Sequence, residues 1–412
     1  MSDLARREFL RRTAILVTGS LFISCEDEKE KAEPDSPGGL TGKGSTKDVI
    51  IAGAGMAGLV AAYELKRAGH HVTVLEARDR IGGRVLTVRS PFSDGHHAEA
   101  GAARIPPDHD LTLGYAEHFG LELTPFYPQT SSFVDLSEGT RSFISNTDFL
   151  EGRPWPSSVR HKEYVKIKGG TDQLPQSFAD SLKDEIKLST SVESVTQNTD
   201  GVSVTATGGA QYSGDRLLCT VPLPVLNRIE FTPSLSVEKI DAMSGGYNYA
   251  ASTRVFFQFR ERFWEAEGLN GWGYTDWPEE VWQPTWDREG PRGIIMSYLR
   301  YDRAVEIDQL SLDERINNVL ARWDSLFPGM KDYLESGTSH SWALEAWSGG
   351  AWASPTSAQH EALASYIGKS EGRIHFAGEH ASDYHGWMQG ALVSGLRAAR
   401  EIHEHDSDSL IV

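Results

Sequence analysis

The chain has 412 residues, 39% of them hydrophobic, and a formal net charge of −18. That length exceeds one ordinary core and predicts two domains. The acidic balance argues against a nucleic-acid partner, which calls for basic patches. No stretch approaches the roughly 18 consecutive apolar residues of a spanning helix.

Residues 1–25 read as an address rather than as structure. Arg6-Arg7-Glu8-Phe9-Leu10-Arg11 is similar to a twin-arginine export signal, followed by the short apolar run Thr13–Ser24. Leu21-Phe22-Ile23-Ser24-Cys25 has the form of a lipoprotein processing site that leaves Cys25 acylated, with Phe22 where Leu is usual; conventional cleavage with Cys25 unmodified is the alternative. The expected partner is therefore the twin-arginine export machinery. The expected location is the periplasm or cell surface, on a lipid anchor if Cys25 is acylated. Cys219 is then the only internal thiol, so no intramolecular disulfide is expected. Residues 26–47 are charged, then rich in Gly, Pro and Ser, and predict a disordered tether.

The apolar strand Val49–Ala52 runs into Gly53-x-Gly55-x-x-Gly58, an alanine-rich helix over Met56–Ala68, and a strand His71–Leu75 ending in Glu76. That order is a dinucleotide fingerprint in its required context. The glycines let a pyrophosphate approach backbone N–H groups at a helix N-terminus, and the acidic residue receives a ribose hydroxyl. Arg80-Ile81-Gly82-Gly83-Arg84 adds a second glycine pair followed by Arg, which suits the flavin side of FAD better than a nicotinamide site.

Farther along, period-2 alternation predicts strands at Ser191–Gln197, Val202–Ala206, Leu217–Val221, Thr253–Phe259 and Gly293–Tyr301. Helical periodicity predicts helices at Leu111–Phe119, Leu174–Leu182, Leu312–Leu326, His360–Tyr366 and Ala391–Glu404. Near the C-terminus, Gly372–Glu379 reads as a strand and glycine turn, and Gly386-Trp387-Met388-Gln389-Gly390-Ala391 opens a helix whose N-terminus can face the flavin or its phosphates. The chain must therefore leave the nucleotide domain and return to it. The expected architecture is α/β: a Rossmann-type FAD-binding domain (48–104, 168–232 and 339–405) with an inserted α+β substrate domain (105–167 and 233–338). No metal site is expected.

Together these motifs resemble the flavin-dependent amine oxidase superfamily across residues 47–405, including the segment Lys168–Pro175. The resemblance implies a flavin-binding set that begins with Gly53, Gly55, Met56, Ala57 and Gly58, then Glu76, Ala77 and Arg78. It continues with Gly83, Arg84, Gly101, Ala102, Ala103 and Arg104, and with Val192, whose backbone would meet the adenine. Gly378, Glu379, Gly386, Trp387, Met388 and Ala391 complete it. Ala351 stands where monoamine oxidases attach FAD through Cys, which implies a non-covalent flavin.

Three local features point to the L-amino-acid oxidase branch. Glu99–Pro106 is similar to its G-x-x-R-I-P segment, so Arg104 would clamp a substrate α-carboxylate with its planar fork; an Arg salt-bridged for structural reasons is the alternative. Tyr298, in Gly293–Tyr298, would be the second carboxylate donor, or else an ordinary sheet aromatic. Trp352 and Trp387 would be two aromatic walls that exclude water, and the Gly386 carbonyl would accept a bond from the amine. Arg254 occupies the place of a superfamily Lys that is bridged by water to flavin N5. Arg254 and Trp387 are thus the residues expected beside the chemistry, and the bulkier, always protonated Arg puts fast reaction with oxygen in question. No catalytic role is expected for His375, His380 or His385. The insert 105–167 is short, which predicts an open entrance. The aromatic segments Trp272–Trp286 and Phe126–Phe133 would either line a pocket or pack within surface loops.

The reaction so implied is oxidation of the Cα–N bond of an L-amino acid by hydride transfer to flavin N5, giving 2-oxo acid, ammonium and, with O2 as acceptor, H2O2. The alternatives are a monoamine or polyamine oxidase, a tailoring oxidase of an amino-acid derivative, and a flavoprotein binder that turns over poorly.

Overall fold

The computed structural model describes residues 36–40, 44–152, 160–275, 277 and 279–404. The leader, with Arg6, Arg7 and Cys25, lies outside them. Seven strands and two helices frame the site: β1 (Asp48–Ala52), α1 (Met56–Arg67), β2 (His71–Leu75), β3 (Arg216–Cys219), β4 (Ser252–Phe259), β5 (Glu279–Trp282), β6 (Gly293–Arg300), β7 (Ile374–Phe376) and α2 (Met388–Glu404).

The run Val49-Ile50-Ile51-Ala52 is apolar throughout because both faces of β1 are covered. It is the centre of a parallel sheet ordered β7-β3-β1-β2 with Ile186–Lys187 at the edge. On one face lie α1 and α2, packed with Val49, Ile51 and Val74 into a single core. The helices approach closely at Gly395, where a Cβ would stand 2.4 Å from the Ala57 carbonyl. The other face packs on the four-stranded sheet that contains Val192–Gln197 and Val202–Ala206.

A seven-stranded sheet runs Leu334–Ser341, β4, β6, β5, Leu269–Thr275, Ser132–Leu136 and Ser142–Ile144. Alternation divides β4 and β6 between two cores. Val255, Phe257, Ile295 and Leu299 pack beneath the helices Asp302–Asp308 and Leu312–Trp323. Phe256, Met296 and Tyr298 face the other way, with Trp282 of β5. Among the described residues no helix is long and apolar enough to cross a membrane.

Several expectations are corrected. Part of the expected tether is docked: Ser36 donates to Glu64 (2.6 Å), and the buried Lys47 ammonium donates to the His403 carbonyl (3.3 Å). Buried partners for these polar groups outweigh the low hydrophobicity on which disorder was expected. The inserted sheet does not begin at 233, because Leu235, Ala242, Tyr247 and Ala250 pack on the nucleotide side. At the other end the strand Leu334–Ser341 runs three residues past 338. Helix Asp110–His118, expected in the insert, buries Tyr115 in the core of α1 and α2. The segment around Trp272 and Trp282 is neither loop nor surface. It forms two strands with the indoles stacked 5.7 Å apart, and of the pair only Trp282 lines the cavity described next.

Candidate active site

A cavity of about 360 Å³ runs from the glycine turn after β1 to the inward face of the seven-stranded sheet. Its nucleotide end is built for a phosphate-bearing ligand. Helix α1 begins at Gly55 with no side-chain cap and no acidic residue in its first turn, so its first N–H groups are left for a ligand where Gly55, Met56 and Ala57 line the cavity. Gly53 has φ +108°, a backbone state that favours glycine. Gly58 does not line the cavity; a Cβ there would lie 2.0 Å from the Gly53 carbonyl, so this glycine closes the turn instead. Glu76 ends β2 with Oε2 accepting from Ala54 N (2.7 Å) and Oε1 from Arg78 N (2.9 Å). Each oxygen retains a second lone pair for a ribose hydroxyl.

The second glycine pair places backbone against backbone. Gly82 bridges to Gly55, and a Cβ on Gly83 would come within 3.2 Å of the Gly55 Cα. At Gly101 a Cβ would meet the Arg84 carbonyl at 1.8 Å. This close approach brings Gly83, Arg84, Gly101, Ala102 and Ala103 to the cavity, while Ala77, Arg78 and Val192 line it near Glu76. These features fit FAD; apart from Gly58, the residues that the fingerprint and the family resemblance implied for it lie on this cavity, with Thr220, Arg228 and Trp347, which carry no sequence signal.

The return of the chain supplies the opposite side through one carboxylate. Glu379 Oε1 accepts from Arg84 Nη1 (2.9 Å) and Ala353 N (3.0 Å), and its Oε2 accepts from Gly386 N (2.9 Å). Burial is the largest single influence and would raise this carboxyl, but Arg84, His380 and the N–H groups of Gly386 and Ala353 together hold the pKa below the ordinary value. The same side chain therefore fixes the backbone beside both Trp352 and Trp387. Gly386 lies against the first indole, a Cβ there falling 3.2 Å from Trp352 Cγ, and Trp387 meets His109 edge-on at 4.8 Å. Gly378, Met388 and Ala391 complete this side. Glu379→Gln is expected to cost about 2 kcal/mol of unfolding free energy, because charge-assisted bonds become neutral ones; denaturant titration checks it, and an unchanged midpoint would contradict the role.

The far wall is set by register. In the antiparallel ladder Tyr298 stands directly opposite both Arg254 and Glu280, and Arg300 opposite Ser252. Two residues along β5, Trp282 shares their face. Arg104 projects onto the same wall, with its guanidinium 5.2 Å above the Trp282 ring, and that ring is 5.0 Å from Tyr298. Arg104 Nη1 donates to Tyr127 Oη (3.1 Å) and Glu280 Oε2 (3.3 Å). Glu280 also accepts from Trp282 Nε1 (2.8 Å) and pairs with Arg300 (3.0 Å). Burial pushes the Glu280 carboxyl up, yet Arg104 and then Arg300 more than reverse this, so it stays ionised. Arg254 donates through Nη1 to the Glu99 carbonyl.

Arg104, Arg254, Tyr298, Trp352, Gly386 and Trp387 thus share one cavity. Sequence reasoning missed Glu280, Arg300 and Trp342, and gave Trp282 only as part of the aromatic segment Trp272–Trp286. Of the three histidines set aside, His375 pairs with Glu401 (3.1 Å) and the buried His380 is pushed down to about 4 by desolvation, while His385 lines the cavity.

A glycine cradle on a parallel sheet, opening toward a sheet-walled chamber, defines an FAD-dependent oxidoreductase. The chain belongs to the flavin-containing amine oxidoreductases, whose family pattern it matches over residues 56–166 and 151–403. It is 28% identical to an L-amino-acid oxidase of Siganus canaliculatus, covering 89% of this chain and 87% of that protein. Among solved structures, wild-type putrescine oxidase bound to putrescine superimposes with a TM-score of 0.75 at 22% identity, over 87% of this chain and 99% of that one. Cyclohexylamine oxidase from Brevibacterium oxydans gives 0.76 at 18% identity, over 87% and 99%.

Proposed function

We propose that the chain oxidises the Cα–N bond of L-amino acids, with Arg104 and Tyr298 holding the α-carboxylate. The observation that carries this reading is the position of Arg104. It lines the chamber beside Tyr298, and both its hydrogen bonds among the described residues leave from Nη1, so Nε and Nη2 keep their donors for a ligand. A fork of that kind matches a carboxylate in geometry as well as charge. The L-amino-acid oxidase relative supports the same substrate class.

FAD, when bound, supplies the two-electron oxidation by accepting the α-hydrogen as hydride. The protein's part is orientation. Arg104 and Tyr298 fix the acid end, the Gly386 carbonyl accepts from the amine, and Trp352 and Trp387 keep water away. The imino acid then takes up water to give 2-oxo acid and ammonium, and O2, reduced by the same two electrons and two protons, leaves as H2O2. Arg254→Lys is expected to speed reoxidation by oxygen severalfold, measured by stopped flow; an unchanged rate would show that Arg254 is not limiting. The leader supports export of the folded flavoprotein to the periplasm or cell surface, on a lipid anchor if Cys25 is acylated.

One observation favours a second reading. Arg104 already has a carboxylate partner in Glu280, as a purely structural Arg would, and an amine lacking an acid group would then suffice. Peroxide release across a panel of L-amino acids and simple amines separates the two: turnover of amino acids supports the clamp, and turnover of amines alone refutes it.

A further inference from the structure

The wall that carries Tyr298 holds more positive charge than a single α-carboxylate can neutralise. Arg104, Arg254 and Arg300 all line the chamber, and Glu280, behind them, pairs with Arg104 and Arg300 only. Glu99 acts on Arg254 electrostatically but forms no ion pair with it: its oxygens accept from Thr87 Oγ1 (2.8 Å) and Thr171 N (2.9 Å). Arg254 is 5% exposed, has no carboxylate partner among the described residues, and leaves Nε buried without a hydrogen bond. Its charge rests on the faces of Tyr298 (4.5 Å) and Trp282 (4.9 Å), while Arg300 lies 5.0 Å over Tyr298. Aromatic faces shelter a cation but replace an anion only in part. A buried guanidinium short of acceptors is costly, and a ligand carboxylate relieves that cost.

We propose that the preferred substrate is an L-amino acid with a carboxylate in its side chain, of the glutamate or aspartate class. Arg104 and Tyr298 take the α-carboxylate, and Arg254 with Arg300 takes the second one. This deepens the amino-acid reading above and rests on it. Register explains why the two arginines converge. Arg254 on β4 and Arg300 on β6 flank Tyr298 in adjacent positions of one sheet face, so a side chain extended past Tyr298 meets both. The amide isosteres have the same shape but no charge, and they would leave the Arg254 guanidinium without a carboxylate and Arg300 with Glu280 alone.

The test uses the FAD-loaded protein without oxygen, following bleaching of the flavin band with L-glutamate, L-glutamine, L-aspartate, L-asparagine, L-leucine and 1,4-diaminobutane. Second-order bleaching by one of the acids is expected to exceed that by its own amide by about 100-fold or more. Arg300→Gln should shrink that ratio to under about tenfold through loss on the acid, and Arg300→Lys should restore part of it. Calorimetry gives a readout independent of turnover: glutarate should bind to the wild-type protein and much more weakly to Arg300→Gln. Retained flavin content and thermal midpoint show that the variants are folded. If L-leucine and the amides bleach the flavin as fast as the acids, the proposal falls while the amino-acid reading stands. If only 1,4-diaminobutane bleaches it, both fall.

Discussion

Arg104→Ala is expected to lower kcat/KM toward L-amino acids by about 3 kcal/mol or more, roughly 150-fold, while changing turnover of an amine without a carboxylate only slightly. The size follows from what is left behind: a desolvated substrate carboxylate that retains only the Tyr298 hydroxyl. The selectivity follows from the surroundings. Glu280 keeps Arg300 and the Trp282 indole N–H when Arg104 is removed, so the wall stays charge-paired and the chamber keeps its shape. Arg104→Lys should recover only part of the loss, because an ammonium is a point donor that cannot make two parallel bonds. Steady-state kinetics on matched amino-acid and amine substrates checks this, and equal losses on both would mean that Arg104 is structural.

Gly58→Ala is expected to yield protein with little or no bound flavin and a stability loss near the upper end of overpacking costs, about 3 kcal/mol. The added methyl would lie 2.0 Å from the Gly53 carbonyl and 3.2 Å from Thr220 Oγ1, and the carbonyl belongs to backbone at the turn itself. Relief requires α1 to move off β1, which carries Gly55 and Met56 away from their places on the cavity. The ratio of flavin absorbance to protein absorbance, with a thermal melt, measures both effects. A yellow variant with a native melting point would show that the turn tolerates a side chain and that the close packing is not needed for the cradle.

These two sites differ in how far they could be read from the sequence. The glycine turn is local: β1, Gly53, Gly55, Gly58, α1 and Glu76 lie within thirty residues, and period and spacing alone define them. Arg104 and Tyr298 became candidates only through resemblance, since a lone Arg after a short strand or a strand Tyr carries no chemistry by itself. Glu280 and Arg300 were not legible at all, and Trp282 only as one aromatic of a segment that would line a pocket or pack in loops. Their meeting with Arg254 depends on the pairing of three antiparallel strands, and a shift of one residue would turn each to the opposite face. The Trp-rich stretch left pocket and loop both open for a related reason: Gly and aromatic residues alternate from Gly271 to Tyr274, with Gly271 at φ +79° against Trp264, so a segment that pairs as strand reads equally as loop. The docked part of the tether was hidden because Ser36 and Lys47 are held by buried polar contacts rather than by apolar surface. The insert boundaries failed where the chain packs across its own crossover, as Tyr115 and Tyr247 do.

The clamp is tested most directly by rapid mixing of the anaerobic, FAD-loaded protein with an L-amino acid and, separately, with the amine made by removing its α-carboxylate. The account predicts fast bleaching by the amino acid and bleaching by the amine slower by about two orders of magnitude or more, the value of a carboxylate held by Arg104 and Tyr298. Equal rates, or faster reaction of the amine, would contradict it.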